Sequence, residues 1–444
     1  MSAIALLMGL LVLSYLGSLL VGTGKTRGLA SGIEFIGLGF VVGPHALGLV
    51  ERPMITEFEP IVQVALGWLA FVVGLDFGRV EGRRVQTAST ALGIACAVIT
   101  GLVVAVAVYS MLEVVPIQGI EGTSAIILAA GAGAVGAETA RNAVEWVQGR
   151  WGARGPVSRL LVDIGAADDL APLVAVGAIF ALAPSPGLTL SLPAWGWFAA
   201  SIALGALLGT VTAMLLRGAE DDAVWGALIG TLLLGVGAAA RFGLSTIFVT
   251  FVMGIALAAA SPSRRALRKI VIPTERAVLY PMLLLAGARL DPTPIVENRM
   301  LLALVALVLL ARILGKVISG LVVRATAPAA RPAGAWLGIV LLSSGPVSTA
   351  CGFVFALRFP GPVGDTLLIC AVASAILGEL VSTLSLKAML TETGEIAPAV
   401  VASAPARTAS IPPPPPSASA SAVAQSSTEI PAATLAVSEE KALE

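Results

Sequence analysis

The sequence predicts an all-α, polytopic membrane protein of about thirteen transmembrane helices, and three observations predict it. Of its 444 residues, 57% are hydrophobic and only 12% charged, about half the charged fraction usual in a soluble domain. Mean hydropathy is +0.95, and apolar runs recur along the chain, each long enough to cross about 30 Å of hydrocarbon. The 48 glycines suit close helix packing in lipid. The formal net charge is zero, so nothing in the composition points to nucleic acid. Cys96, Cys351 and Cys370 all fall within apolar runs, which reads as packing rather than disulfides or metal.

In chain order the spans are expected at about 3–21, 33–49, 59–78, 88–111, 123–147, 158–182, 194–217, 223–240, 243–260, 273–290, 298–324, 334–358 and 364–390. The first lacks a basic leader and a small-residue cleavage site, so it reads as a span and not a signal peptide. Alternate loops carry the basic residues: Lys25 and Arg27; Arg79, Arg83 and Arg84; Arg150, Arg154 and Arg159; Arg217; Arg264, Arg265, Arg268 and Lys269; Arg324 and Arg331. The opposite loops hold little beyond Arg52, Arg241, Arg299 and Arg358. The positive-inside rule then places the first set in the cytoplasm, with the amino terminus outside and the carboxy terminus inside the plasma (inner) membrane. Residues 1–390 form the membrane domain on this reading. From 391 to 444 the composition turns to Pro, Ala and Ser, including IPPPPPSASASAVAQSS, as in a disordered cytoplasmic tail. Its polyproline run also suits a groove-binding partner.

Polar residues converge at one depth. With a rise of about 1.5 Å per residue, Asp168 and Asp169 of VDIGAADDL lie roughly 15 Å into the sixth span. Arg312 falls near the midpoint of the eleventh, in ARILGKV, where Lys316 is an accessory position. Glu138 and Thr139 fall past the middle of the fifth, and Ser343, Ser344 and Ser348 lie mid-span in the twelfth. Ionised groups at that depth are costly and mark ion pathways. AGAGAVGAETAR (130–141) and LLSSGPVSTACG (341–352) are poor continuous helices because of glycine entropy in one and Pro346 in the other. The segments 134–141 and 343–349 are therefore expected to be non-helical and to face one another. Irregular backbone at this depth is tolerated where it lines a cavity, and inverted-repeat transporters build ion sites from such discontinuous helices.

Other polar residues have plainer readings. Asp163 lies nearer its span end, as an accessory group or one reaching the interface. Glu379 and Arg289 are similarly placed, and His45 in GPHALGLV reads as a helix cap. Asp168 and Asp169 point about 100° apart on a helix and do not share one partner easily.

GLGFVVGPHALGLV (37–50), LGWLAFVVGLDFGRV (66–80), GPVSRLLVDIGAADDLAPLVAV (155–176) and the run from Leu244 to Asp291 resemble, in order and spacing, the monovalent cation:proton antiporter-2 family of Kef- and Nap-type exchangers. The likeness spans about residues 1–390. It implies an inverted-repeat fold with two discontinuous crossing helices, a six-helix core and a scaffold domain, and a homodimer. It also implies that Asp169 binds the transported cation or a proton, and that Asp168 pairs with the basic residue at Arg312. Many relatives carry lysine there, which releases a proton when buried as arginine does not. Glu138-Thr139-Ala140 stands where relatives show a Thr-Ser-Pro-like triplet, and SSGPVS lacks a Kef-like polar triplet. Arg141 is available to neutralise the added carboxylate. No Kef-type nucleotide-binding module is expected after the last span.

The expected function is secondary transport, with Na⁺ or K⁺ exchanged for protons and no organic cofactor or enzymatic step. Thr139, Ser344 and backbone carbonyls would complete the cation site. The alternatives are a non-transporting membrane sensor or scaffold derived from an antiporter, and a sodium-coupled organic-anion symporter of related fold.

Overall fold

In the computed structural model the described residues are 32–80, 83–183, 191–217, 221–262, 264–334 and 336–396. The expected first span, Lys25 and Arg27, and the polyproline tail lie outside them. Among the described residues, nine helical stretches are long and apolar enough to cross a membrane, and three shorter apolar helices accompany them. Each of the twelve falls on one of the expected spans from the second to the thirteenth. The chain is a multi-pass membrane protein.

The helices pack as two bundles. The first contains α4 (Thr87–Val114), α5 (Thr123–Ala137), α6 (Arg141–Trp151), α7 (Pro156–Gly165), α8 (Leu170–Leu182), α15 (Arg299–Thr326), α16 (Trp336–Val340), α17 (Pro346–Arg358) and α18 (Pro362–Glu392). The second contains α1 (Ile33–Val42), α3 (Glu59–Asp76), α9 (Ala194–Leu215), α10 (Asp221–Phe242), α11 (Thr246–Ala260) and α13 (Glu275–Arg289). Short connecting elements are α2 (Arg52–Glu57), a hairpin of β1 (Arg79–Val80) and β2 (Arg83–Arg84), α12 (Arg264–Val271) and α14 (Thr293–Glu297). Within the second bundle Gly74 and Gly254 lie against each other's helix backbone. A methyl at either position would displace a carbonyl of the partner, so these glycines set the α3–α11 spacing. Between the bundles the contacts are fewer, chiefly α8 on α9 and α11, and α17 on α3 and α13.

Three expected spans are interrupted, and the breaks are narrower than the sequence suggests. The helix runs through the glycines of the fifth span to Ala137, and only 138–140 are extended. Those glycines serve close packing, since Gly133 rests on the Gly101 carbonyl of α4. In the twelfth span the break covers 341–345, while 346–349 are helical. Pro346 opens α17 as its first residue instead of breaking it, a position where its missing N–H costs nothing. The third break, at 166–169 in the sixth span, is not anticipated from the sequence. Pro172 supplies no N–H for the Asp168 carbonyl four residues back, so the α-helical ladder is weakened there.

The folded part also extends past residue 390. α18 continues to Glu392, and Glu395 turns back onto α7. Its carboxylate accepts the N–H groups of Val157 and Ser158 at 2.7 and 2.9 Å. This caps the positive end of α7 from the far end of the chain.

Candidate functional site

The first two breaks meet. The Ala140 N–H donates to the Ser343 carbonyl at 3.1 Å, and two cations from α15 stitch the surrounding backbone. The Arg312 guanidinium donates to the carbonyls of Glu138, Leu342 and Ser343 at 3.0–3.2 Å, and to the Ser344 hydroxyl at 3.3 Å. One turn on, the Lys316 ammonium donates to the Ala137 carbonyl at 2.6 Å and the Thr139 hydroxyl at 2.8 Å. Both cations are fully buried. A break leaves carbonyls without amide partners, and at this depth no lipid can supply one; the α15 cations do.

Glu138 points the other way along the break. Its carboxylate accepts the Ser348 N–H, in the first turn of α17, while the Ser348 hydroxyl donates to the Val135 carbonyl at 2.7 Å. A carboxylate at a helix N-terminus is favoured by the exposed N–H groups and the dipole. The side chains expected to line a cation site are therefore occupied within the protein. Thr139 and Ser344 accept from the α15 cations, and Ser348 and Glu138 hold the two breaks together.

The aspartate pair divides. Asp168 is fully buried inside the first bundle, where Lys316 is the cation that acts on it most strongly, yet among the described residues its two carboxylate oxygens have no hydrogen-bond partner. Asp169 is half-buried and faces a cavity of about 50 Å³ between the two bundles, enough for several waters. Asp76, Glu138, Arg141 and Glu275 share its walls. The expected ion pair between Arg312 and an aspartate is not what forms. All four Arg312 bonds go to uncharged oxygens, and the cation that acts most strongly on Asp168 is Lys316. The reason is the break itself, whose carbonyls lie within the reach of the guanidinium fork. Arg141 likewise does not neutralise Glu138; it pairs with Asp76 at 3.1 Å and Glu145 at 3.2 Å. Asp163 is buried on α7, away from the cavity lining.

Asp76, Arg268 and Glu275 were not singled out by the sequence. Asp76 carries an ion pair to Arg268 as well as to Arg141. An acid closing an apolar span, in LGWLAFVVGLD, is the signal that marks Asp76. Arg268 belongs to α12, whose Leu267 and Val271 face the core. It reads in sequence as one more basic-loop residue. Among the described residues no three His, Cys, Asp or Glu side chains converge as a resident metal would require.

No family model matches the sequence, and no curated protein matches it. Solved structures do. The structure of the sodium proton antiporter MjNhaP1 from Methanocaldococcus jannaschii at pH 8 matches with a TM-score of 0.64 at 15% identity. That match covers 86% of this chain and 98% of the other. An electron-microscopy structure of the same antiporter matches with a TM-score of 0.59 at 16% identity, over 91% and 99% of the two chains. The chain therefore has an antiporter-like fold.

Proposed function

We propose that this protein exchanges a monovalent cation, Na⁺ or K⁺, for protons by alternating access, and that Asp169 is the group for which the two cargoes compete. The observation that carries the reading is the division of the aspartate pair. Asp169 reaches a small cavity between two helix bundles, while Asp168 is held inside one bundle with Lys316. A deprotonated Asp169 offers a hard oxygen ligand to an alkali cation; protonated, it offers none. Arg312 serves to hold the breaks.

The resemblance to the Kef- and Nap-type exchangers supports the same reading, with thirteen spans, two broken helices crossing as inverted repeats, a cytoplasmic basic face in the inner membrane and a homodimer. The size of the cavity beside Asp169 also supports exchange over the symporter alternative. Sites for organic ligands occupy roughly 300–1,000 Å³, far more than the 50 Å³ beside Asp169. Proton flux in everted vesicles, recorded with a pH-sensitive dye while Na⁺, K⁺ and Li⁺ are added in turn, tests the proposal. Cation-dependent dequenching is the expected result. Its absence with all three cations in protein shown to be inserted would favour the non-transporting sensor.

A further inference from the structure

Among the described residues two ion pairs cross from one bundle to the other, one in the cavity wall and one away from it. Towards the basic loops, Arg141 at the start of α6 meets Asp76 at the end of α3, at 3.1 Å. At the other end, Arg289 in the last turn of α13 meets Asp365 in the first turn of α18, at 3.2 Å. A second, apolar cavity of about 20 Å³ is lined by Leu66, Leu69 and Ile247 from the second bundle and by Leu173, Val347 and Ala350 from the first.

The four members share a property. Each keeps a source of charge compensation within its own bundle or its immediate connections. Asp76 is also paired with Arg268 of α12, and Arg141 with Glu145 one turn along α6. Asp365 lies at the positive end of α18, and Arg289 at the negative end of α13. Either pair can therefore part without stranding an uncompensated buried charge, which is the costly outcome. Arg312 and Lys316, by contrast, bond only within the first bundle. The His45–Asp291–Arg52 cluster nearby stays on the connections of the second.

We propose that these two pairs are the alternating latches of the bundle movement. Arg289–Asp365 holds the cavity shut on the side away from the basic loops, and Arg141–Asp76 braces the side towards them. Releasing the first exposes Asp169 to the opposite side of the membrane. The proposal rests on the alternating-access reading above, so its test reads bundle position and not transport.

The probe is Val73→Cys, on α3 at the cavity wall; the native Cys96, Cys351 and Cys370 are buried and serve as the silent background. Labelling rates with a membrane-impermeant maleimide are measured in right-side-out and everted vesicles of the full chain. Asp365→Asn should slow labelling from the basic-loop side by roughly threefold and raise it from the other side, the scale expected for one partly exposed ion pair. Arg141→Gln should shift both rates the opposite way. The charge-swapped double variant Arg289→Asp with Asp365→Arg should return towards wild-type rates. If Asp365→Asn does not accumulate, Arg289→Gln carries the same expectation from the more exposed partner. Unchanged rates from both sides in either variant that accumulates overturn the latch proposal, whatever the exchange assay shows. Shifted rates in a protein without cation/proton exchange would instead fault the functional reading alone.

Discussion

Lys316 and Thr139 are joined by a 2.8 Å hydrogen bond that ties the middle of α15 to the first helix break, beside the buried Asp168. Arg312, one turn away, is committed to three carbonyls and a hydroxyl. The two cations thus have different work: Arg312 holds both breaks, while Lys316 holds the first alone and is the cation that acts most strongly on Asp168.

That division predicts different responses to mutation. Lys316→Met should leave the buried Asp168 without the cation that acts on it most strongly and take the donor from the Ala137 carbonyl and the Thr139 hydroxyl, a loss on the order of 3 kcal/mol for an uncompensated buried charge. Adding Asp168→Asn should recover part of the loss, because the neutral amide no longer needs a counter-charge. Arg312→Met should also destabilise, yet Asp168→Asn should not rescue it. Thermal unfolding of the purified variants in detergent reads all three. Rescue of Arg312→Met as complete as that of Lys316→Met would return Arg312 to the role of aspartate partner.

Asp169→Asn should abolish cation-driven proton movement while leaving the thermal midpoint close to that of the unaltered protein. The amide keeps the side-chain shape but neither titrates nor carries the anionic oxygen. Asp169 already faces a cavity and not a tightly packed partner. Normal exchange by this variant in the vesicle dye assay would show that the proton carrier lies elsewhere.

Pro172→Ala is expected to separate stability from function. The new N–H lies four residues after the Asp168 carbonyl and would let the α-helical ladder continue through 166–169. The thermal midpoint should hold or rise, while the exchange rate falls because Asp169 is turned from its position at the break. An unchanged exchange rate would mean that the turn carrying the aspartates is incidental.

Glu395→Ala removes a cap that bonds two N–H groups of α7, and loss of such a cap costs typically about 1 kcal/mol. Gly155→Ala should be at least as damaging, since a methyl there would collide with the Glu395 side chain. Deleting everything after Ile396 should leave stability unchanged, whereas deleting everything after Glu392 should reproduce the Glu395→Ala loss. Equal midpoints for the two truncations, measured side by side, would remove Glu395 from the folded domain.

Much of the site can be located from one-dimensional information. Asp168 and Asp169 are conspicuous because charge is rare at that depth, and counting helical rise brings them level with Arg312, Glu138 and Ser344. The glycines of the fifth span mislead, because a glycine that loosens a helix and one that lets two helices touch look alike in sequence. Gly133 is of the second kind. The break at 166–169 is marked by Pro172, but its effect lies four residues upstream, among residues that already read as helix.

By itself the sequence determined what depends on composition and local order. Apolar length makes the helices membrane-spanning, and the alternation of basic loops distinguishes one face of the bundle from the other. Pro346 marks the restart of the helix in the twelfth span. Only the tertiary structure decided which charges meet. Arg312 and Lys316 lie four residues apart on one helix, and their roles divide because the carbonyls of 138, 342 and 343 lie within reach of the first, while Thr139 and Asp168 lie beside the second. Asp76 and Glu395 belong to the domain's charge network for the same reason. Their partners, Arg141 and the α7 amides, are 65 and more than 230 residues away, and only packing brings such groups within hydrogen-bonding distance.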